Sequence, residues 1–330
     1  MVISRRMPNR NIGDRARPVW LPSGMRQRHS GSGSTTPPRV TTDPPPIAGV
    51  RRYFVTARGV DFHVTEAGPA DGRPVLALHG WPQHHYAYRH LLADPPPGLR
   101  IIALDLPGYG WSGPPPHRWG KEDVAADVLA LLDELGLDRV LLIGHDWGGY
   151  IGHLMVLGAP ERFDGYLVLN IPHPWQSARG FLPHVWRFLL YQPIVASVGK
   201  FLQQHTPILE VILPRGVKNR AEFGPEVVRA YADRFRDPVV AQAAVDTYRT
   251  FLLRELPRSA RHTETRRATV PIRALFGIDD NAVHHSLAAA ETAKADDYTL
   301  ERVPNCGHFI TDERPDLIRA RLITLAEETA

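Results

Sequence analysis

Residues 144–148 read Gly-His-Asp-Trp-Gly, which sets the carboxylate of Asp146 at the point of a strand-to-helix turn where a nucleophilic hydroxyl would ordinarily stand. Val140, Leu141, Leu142 and Ile143 ahead of it form an apolar run suited to a buried strand, and the residues after Gly149 open a helix. Glycines on both sides permit the tight turn that lifts the middle side chain above a sheet. A hydroxyl placed there attacks acyl carbon. A carboxylate is too weak a base and too good a leaving group for ordinary ester or amide cleavage. It suits displacement at saturated carbon, which forms an alkyl ester of the enzyme itself. That ester must then be hydrolysed, so the chemistry requires a base elsewhere in the chain.

The elements around this turn alternate in a way that predicts an α/β fold with a mostly parallel sheet covered by helices. Eight strands are expected, over residues 52–56, 61–66, 75–79, 100–104, 139–144, 165–169, 272–276 and 298–303. Helical periodicity is clear over residues 121–135, where Val124, Val128, Leu131, Leu132 and Leu135 share one side. A last helix is expected over residues 314–328. Between residues 172 and 267 the alternation stops and helices are expected over 185–190, 195–204, 225–235 and 239–255. A structureless loop of that length inside a domain is improbable. The division that follows is a tail (1–50), a core (51–172 and 268–330) and an inserted helical cap (173–267) closing over the strand ends, where open α/β sheets place their sites.

Composition bounds the remaining possibilities. The chain has 330 residues, 43% of them hydrophobic, enough for one large core with an insertion. Its net charge of +4 is misleading, because residues 1–50 hold eight Arg, no Lys and only two Asp, leaving the rest slightly acidic. The folded part is therefore not expected to bind nucleic acid. The Arg-, Pro- and Ser-rich tail is expected to be disordered. Arg5-Arg6 is followed by no apolar core of an export signal, and no stretch is long enough to span a membrane, so a cytoplasmic location is the default. The single cysteine, Cys306, cannot form an intramolecular disulfide and is expected to be buried as a small hydrophobe.

Three motifs in order give the chain a family resemblance covering about 280 residues. His79-Gly80-Trp81-Pro82 resembles an oxyanion-hole motif, residues 105–112 (Asp-Leu-Pro-Gly-Tyr-Gly-Trp-Ser) resemble the strand-loop motif that follows, and residues 144–149 match an aspartate elbow. Together they resemble the α/β-hydrolase fold of the epoxide hydrolase and haloalkane dehalogenase group, and the epoxide hydrolases most. The resemblance implies that His308, directly after the last strand, is the base, and that Asp280, three residues after Gly277, is its acidic partner. Asn170 stands where some dehalogenases place that acid, and it carries no charge. The backbone N–H groups of Trp81 and Trp147 are implied as the oxyanion hole. The pocket is expected to be lined by His79, Trp81, Pro82, Trp147 and Trp186.

The electrophile turns on the cap. Opening an epoxide leaves an alkoxide that needs an O–H donor, whereas a halide needs only N–H donors. Tyr248 matches the cap tyrosine with which epoxide hydrolases polarise the ring oxygen. The position of a second such tyrosine falls on Trp186, with Tyr191 able to substitute after a local shift. The resemblance implies a cofactor-independent, metal-free epoxide hydrolase acting on a small hydrophobic epoxide, as a monomer or homodimer. Haloalkane dehalogenation, with Trp147 and Trp186 holding halide, is the alternative. A binding protein that kept the fold without catalysis is a third, disfavoured because the triad is whole.

Overall fold

The computed structural model describes residues 42–175, 182–261, 264–289 and 294–330. Its eight strands are β1 Arg51–Ala57, β2 Val60–Ala67, β3 Arg73–Leu78, β4 Leu99–Leu104, β5 Val140–His145, β6 Phe163–Leu169, β7 Ile272–Gly277 and β8 Tyr298–Val303. They form one sheet in the order β1-β2-β4-β3-β5-β6-β7-β8, antiparallel from β1 through β4 and parallel from β4 to β8. The expected mostly parallel eight-stranded sheet is therefore present, each strand within two residues of its expected place at either end. Val75, Ala77, Leu141 and Ile143 feed the core on one face, and Leu76, Leu78, Val140 and Leu142 feed the core on the other. A strand buried on both faces has no polar side to alternate with, which is why β5 reads as an unbroken apolar run. Helix Lys121–Glu134 buries Val124, Val128, Leu131 and Leu132 against one of these faces.

The described residues between β6 and β7 contain helices and no strand. Val185–His205 is one helix that runs through Pro193, where the sequence predicts two. Proline removes one helical hydrogen bond, but Pro193 and the carbonyl-bearing Leu189 one turn earlier both face solvent, so water can take up the freed carbonyl. Helix Pro225–Ala232 ends before a short 3-10 turn, and Pro238–Thr250 passes into a π-helical turn at Phe251–Glu255. These helices are tied to the sheet layer by polar contacts. Tyr109 Oη lies 2.8 Å from Thr247 Oγ1, Lys121 Nζ donates to the Thr247 carbonyl at 2.6 Å, and Arg234 donates to the Gly110 carbonyl at 2.7 Å.

Of the predicted disordered tail, residues 1–41 lie outside the described residues. Residues 42–50 depart from that expectation. Ile47 and Val50 pack against the core, Pro45 accepts from Arg52 at 2.6 Å, and Thr42 accepts from the Trp111 indole at 2.6 Å. Two apolar side chains and two carbonyls hold this end down despite its proline-rich composition. No described helix is long and apolar enough to cross a membrane.

Candidate active site

Four of the site residues stand beyond the C-terminal ends of parallel strands: Trp81 after β3, Asp146 after β5, Asp280 after β7 and His308 after β8. The turn after β5 is strained. Asp146 has φ 51° and ψ −126°, a conformation costly for a side chain with a Cβ. Glycine neighbours make the turn possible, because a Cβ on Gly148 would run into the Leu78 and His79 carbonyl oxygens and one on Gly80 would run into the Asp146 side chain.

The carboxylate so presented is gripped on one oxygen. Trp81 N–H donates to Asp146 Oδ1 at 2.9 Å, and the backbone N–H of Trp147 also bonds the carboxylate. Asp146 Oδ2 faces His308 Nε2 at 3.5 Å. Burial would raise the Asp146 pKa, but the His308 side chain and the Trp147 N–H prevail and hold it below the usual carboxylate range. His308 Nδ1 lies 2.8 Å from Asp280 Oδ2. Burial lowers the His308 pKa, yet the Asp280 and Asp146 carboxylates outweigh it and push the imidazole up to about 10. Asp146 and His308 therefore form a buried ion pair at neutral pH. Asp280 is held in turn by the N–H groups of Ala282 and Val283, at 2.8 and 2.9 Å on Oδ1.

Aromatic rings wall this pair. Tyr191 stacks on Trp81 at 6.2 Å between centroids with an interplanar angle of 9°, and Tyr248 meets Trp81 edge-on at 5.4 Å. Tyr248 also stands 5.6 Å from Trp147 and 5.8 Å from Tyr191. Burial, and then the charge of Asp146 among other groups, raises the pKa of both phenols, so both stay protonated.

The structure thus brings together Asp146, His308, Asp280, Trp81, Trp147, Tyr248 and Tyr191, and it corrects two expectations. Trp186 is 55% exposed and faces solvent with Arg187 over its ring, so it lines no pocket. In a continuous helix, five residues advance the side chain by roughly 140°, and it is Tyr191 that turns inward. His79 is fully buried and committed to the fold, its Nε2 accepting from Leu106 N–H at 2.9 Å and its Nδ1 facing the Gly80 carbonyl. Pro82 is buried behind Trp81, across a cis peptide bond. Cys306 is buried, and its thiol pKa is raised by burial, so it offers no thiolate.

Three further residues to which the sequence assigns no role are brought to the site by the fold. Asn170, with φ 47°, donates to Asp280 Oδ2 at 2.9 Å and to the Gly307 carbonyl at 2.8 Å, while its Oδ1 accepts from Gly277 N–H at 3.1 Å. It therefore spans β6, β7 and the His308 loop. His145 lies between Gln83 at 3.0 Å and the backbone carbonyl of His308 at 2.8 Å. Lys121 is buried behind the aromatic wall, 4.4 Å from the Trp147 ring centroid and 2.8 Å from Glu255. Burial outweighs the Glu255 charge and lowers its pKa to about 8.

Similarity to known proteins agrees with this geometry. The chain is 28% identical over 309 residues to epoxide hydrolase 4 of Mus musculus, covering 89% of this chain and 84% of that protein. It is 27% identical over 288 residues to haloalkane dehalogenase 2 of Mycobacterium tuberculosis, covering 86% and 97% respectively. The solved structure of an epoxide hydrolase, CorEH without ligand, shares the fold with a TM-score of 0.65 at 23% identity, over 85% of this chain and 100% of that one. Residues 73–315 match the family model described as alpha/beta hydrolase fold, and the chain belongs to the α/β-hydrolase family.

Proposed function

We propose that this protein is an epoxide hydrolase that converts a small hydrophobic epoxide and water to a vicinal diol through an ester on Asp146. The observation that carries the reading is the pair of protonated phenols, buried Tyr248 and half-buried Tyr191, set against Trp81 and Trp147 beside the carboxylate. In the first step Asp146 Oδ2 attacks an epoxide carbon while Oδ1 stays in the grip of the backbone N–H groups. The C–O ring bond breaks toward oxygen, and Tyr248, with Tyr191 beside it, gives that oxygen its proton. The phenolate regains a proton from His308, whose imidazolium loses one of its two carboxylate partners once Asp146 becomes a neutral ester, Asp280 remaining.

Neutral His308, held in orientation by Asp280, then takes a proton from water. Hydroxide adds to the ester carbonyl, the oxyanion develops on Oδ1 between the Trp81 and Trp147 N–H groups, and the Cγ–Oδ2 bond breaks. The diol leaves with Oδ2 and a proton from the new carboxyl group, restoring the Asp146–His308 ion pair. The helices between β6 and β7 serve as the cap that supplies both phenols. Haloalkane dehalogenation is less well supported, because, of its two implied halide donors, Trp147 and Trp186, only Trp147 is buried at the site and Trp186 faces solvent.

Replacing His308 with Ala is expected to permit the first step and stop the second, so mass spectrometry should find a substrate adduct on Asp146. In one turnover of wild type in oxygen-18 water, label should enter Asp146 and the first diol should stay unlabelled. Label appearing directly in that diol would sink the covalent mechanism. Tyr248→Phe is expected to slow epoxide alkylation of Asp146 by about 10- to 1,000-fold, roughly 1.4 to 4 kcal/mol in the barrier. Release of halide from haloalkanes faster than diol from any epoxide would transfer the assignment to the dehalogenases.

A further inference from the structure

Helix Val185–His205 carries apolar side chains on both sides. Its buried positions are Phe188, Gln192, Val195, Gly199 and Gln203, while the outward ones carry Trp186, Leu189, Leu190, Ile194, Val198 and Phe201, each 48–64% exposed. Of the exposed positions between Trp186 and Phe201 none bears a charge, while Arg187 and Lys200 beside them are half-buried. The stripe runs for about 22 Å along the helix. These exposures amount to roughly 700 Å² of contiguous apolar surface, above the ~300–600 Å² of the largest patch on an ordinary monomer.

We propose that this face is a homodimer interface, in which the helix packs antiparallel against the same helix of a second copy across a two-fold axis near Ile194. The area is on the order of the ~800 Å² per partner that a standard stable interface buries. Its chemistry is that of an interface centre, uncharged and with aromatic residues. The stripe is also nearly symmetric about Ile194, with Trp186 eight residues to one side and Phe201 seven to the other, so the antiparallel arrangement sets each large ring beside the other's end. A two-fold contact requires just such a self-complementary patch. A lipid surface is the poorer fit. A helix lying on anionic lipid aims a cationic rim at the headgroups, whereas Arg187 here donates to the carbonyls of Asp280 and Asn281 at 3.2 and 3.0 Å. The dimer would clamp the helix that carries Tyr191 from the side opposite the site.

Sedimentation equilibrium of the full chain at micromolar concentration should give a dimer. Ile194→Glu should weaken it by at least about 100-fold, with turnover and the circular-dichroism melting profile of a folded protein retained. Ile194→Cys should form a disulfide-linked dimer under mild oxidation, since Cys306 is buried and cannot compete. This variant tests the axis even where the glutamate misfolds. A monomeric wild type overturns the proposal. So does a monomer that binds phosphatidylserine vesicles through this face, or one that dimerises only after residues 1–41 are removed, which would make the chain's own tail the occupant. A dimer that survives Ile194→Glu and gives no Ile194→Cys cross-link overturns it equally.

Discussion

His308 has to satisfy opposite demands in the two halves of the proposed cycle. In the resting enzyme its imidazolium balances Asp146, and in the second half it must be a neutral base. Two carboxylates raise its pKa, Asp280 first and then Asp146, and of these Asp146 Oδ2, 3.5 Å from His308 Nε2, carries the charge that alkylation would erase. Asp146→Asn should imitate that erasure. An NMR titration of the imidazole is expected to show the His308 pKa falling from about 10 in wild type, and an unchanged value would remove this coupling from the mechanism. The effect has a stability counterpart. The folded pKa lies above the unfolded value of 6.5, so the contribution of His308 is fully present below about pH 6.5 and is lost as pH rises through about 10. Lys121, lowered to about 8, has the opposite sign above that pH, its buried charge being relieved as it deprotonates. The wild-type curve minus the Asp146→Asn curve reports the part of the histidine's contribution that depends on Asp146, and that difference should shrink as pH rises toward 10.

At the scale of elements, the site is an agreement among strand ends. β5 delivers the proposed nucleophile, β7 the proposed acid and β8 the proposed base, and Asn170 at the end of β6 bonds to groups at two of the other three positions. Asn170→Ala leaves the Asp280 Oδ2 and the Gly307 carbonyl each one donor short. Hydrogen bonds to charged groups are worth about 1.5–3 kcal/mol, so a loss of about that size is expected in urea unfolding. Rapid-quench kinetics should show ester hydrolysis slowed by about 10-fold or more with alkylation nearly unchanged, because Asp280 acts only through His308. Equal slowing of both phases would mean that Asn170 supports the whole site rather than the base. The same logic explains Trp186 and Tyr191: one unbroken helix decides which aromatic side chain faces Asp146 and which faces solvent.

At the scale of the whole molecule, the sheet and the helices above it share one continuous apolar cluster that includes Trp81, Trp147, Tyr231 and Tyr248. Residues 1–41 are rich in Arg, Pro and Ser and offer little apolar surface to bury, so removing them should leave the melting temperature nearly unchanged. Removing residues 1–50 should lower it by several degrees, since Ile47 and Val50 lose apolar contacts worth on the order of 1–2 kcal/mol each. Equal melting temperatures for the two truncations would show that residues 42–50 contribute no stability.

What could be read along the chain was whatever local pattern decides. The buried strands betray themselves by unbroken apolar runs, the elbow by glycines flanking an acid, and the long helix at residues 121–134 by its period. The identities of Asp146, His308 and Asp280 follow from motif position, because a turn that must expose one side chain tolerates few sequences. Tertiary structure alone decided what depends on rotation about a helix axis or on partners distant in the chain. Whether residues 185–205 form two helices or one sets Tyr191 rather than Trp186 toward the carboxylate, and one proline is too ambiguous to settle it. Asn170 looked like an acid gone missing, and it became a positioning residue only when Asp280, 110 residues away, came within 2.9 Å. Lys121 reads as an ordinary residue at a helix start, and only the packed fold closes Trp147 and Glu255 around it. Burial is a property of the whole chain's packing, and the pKa values that set up the chemistry are consequences of burial.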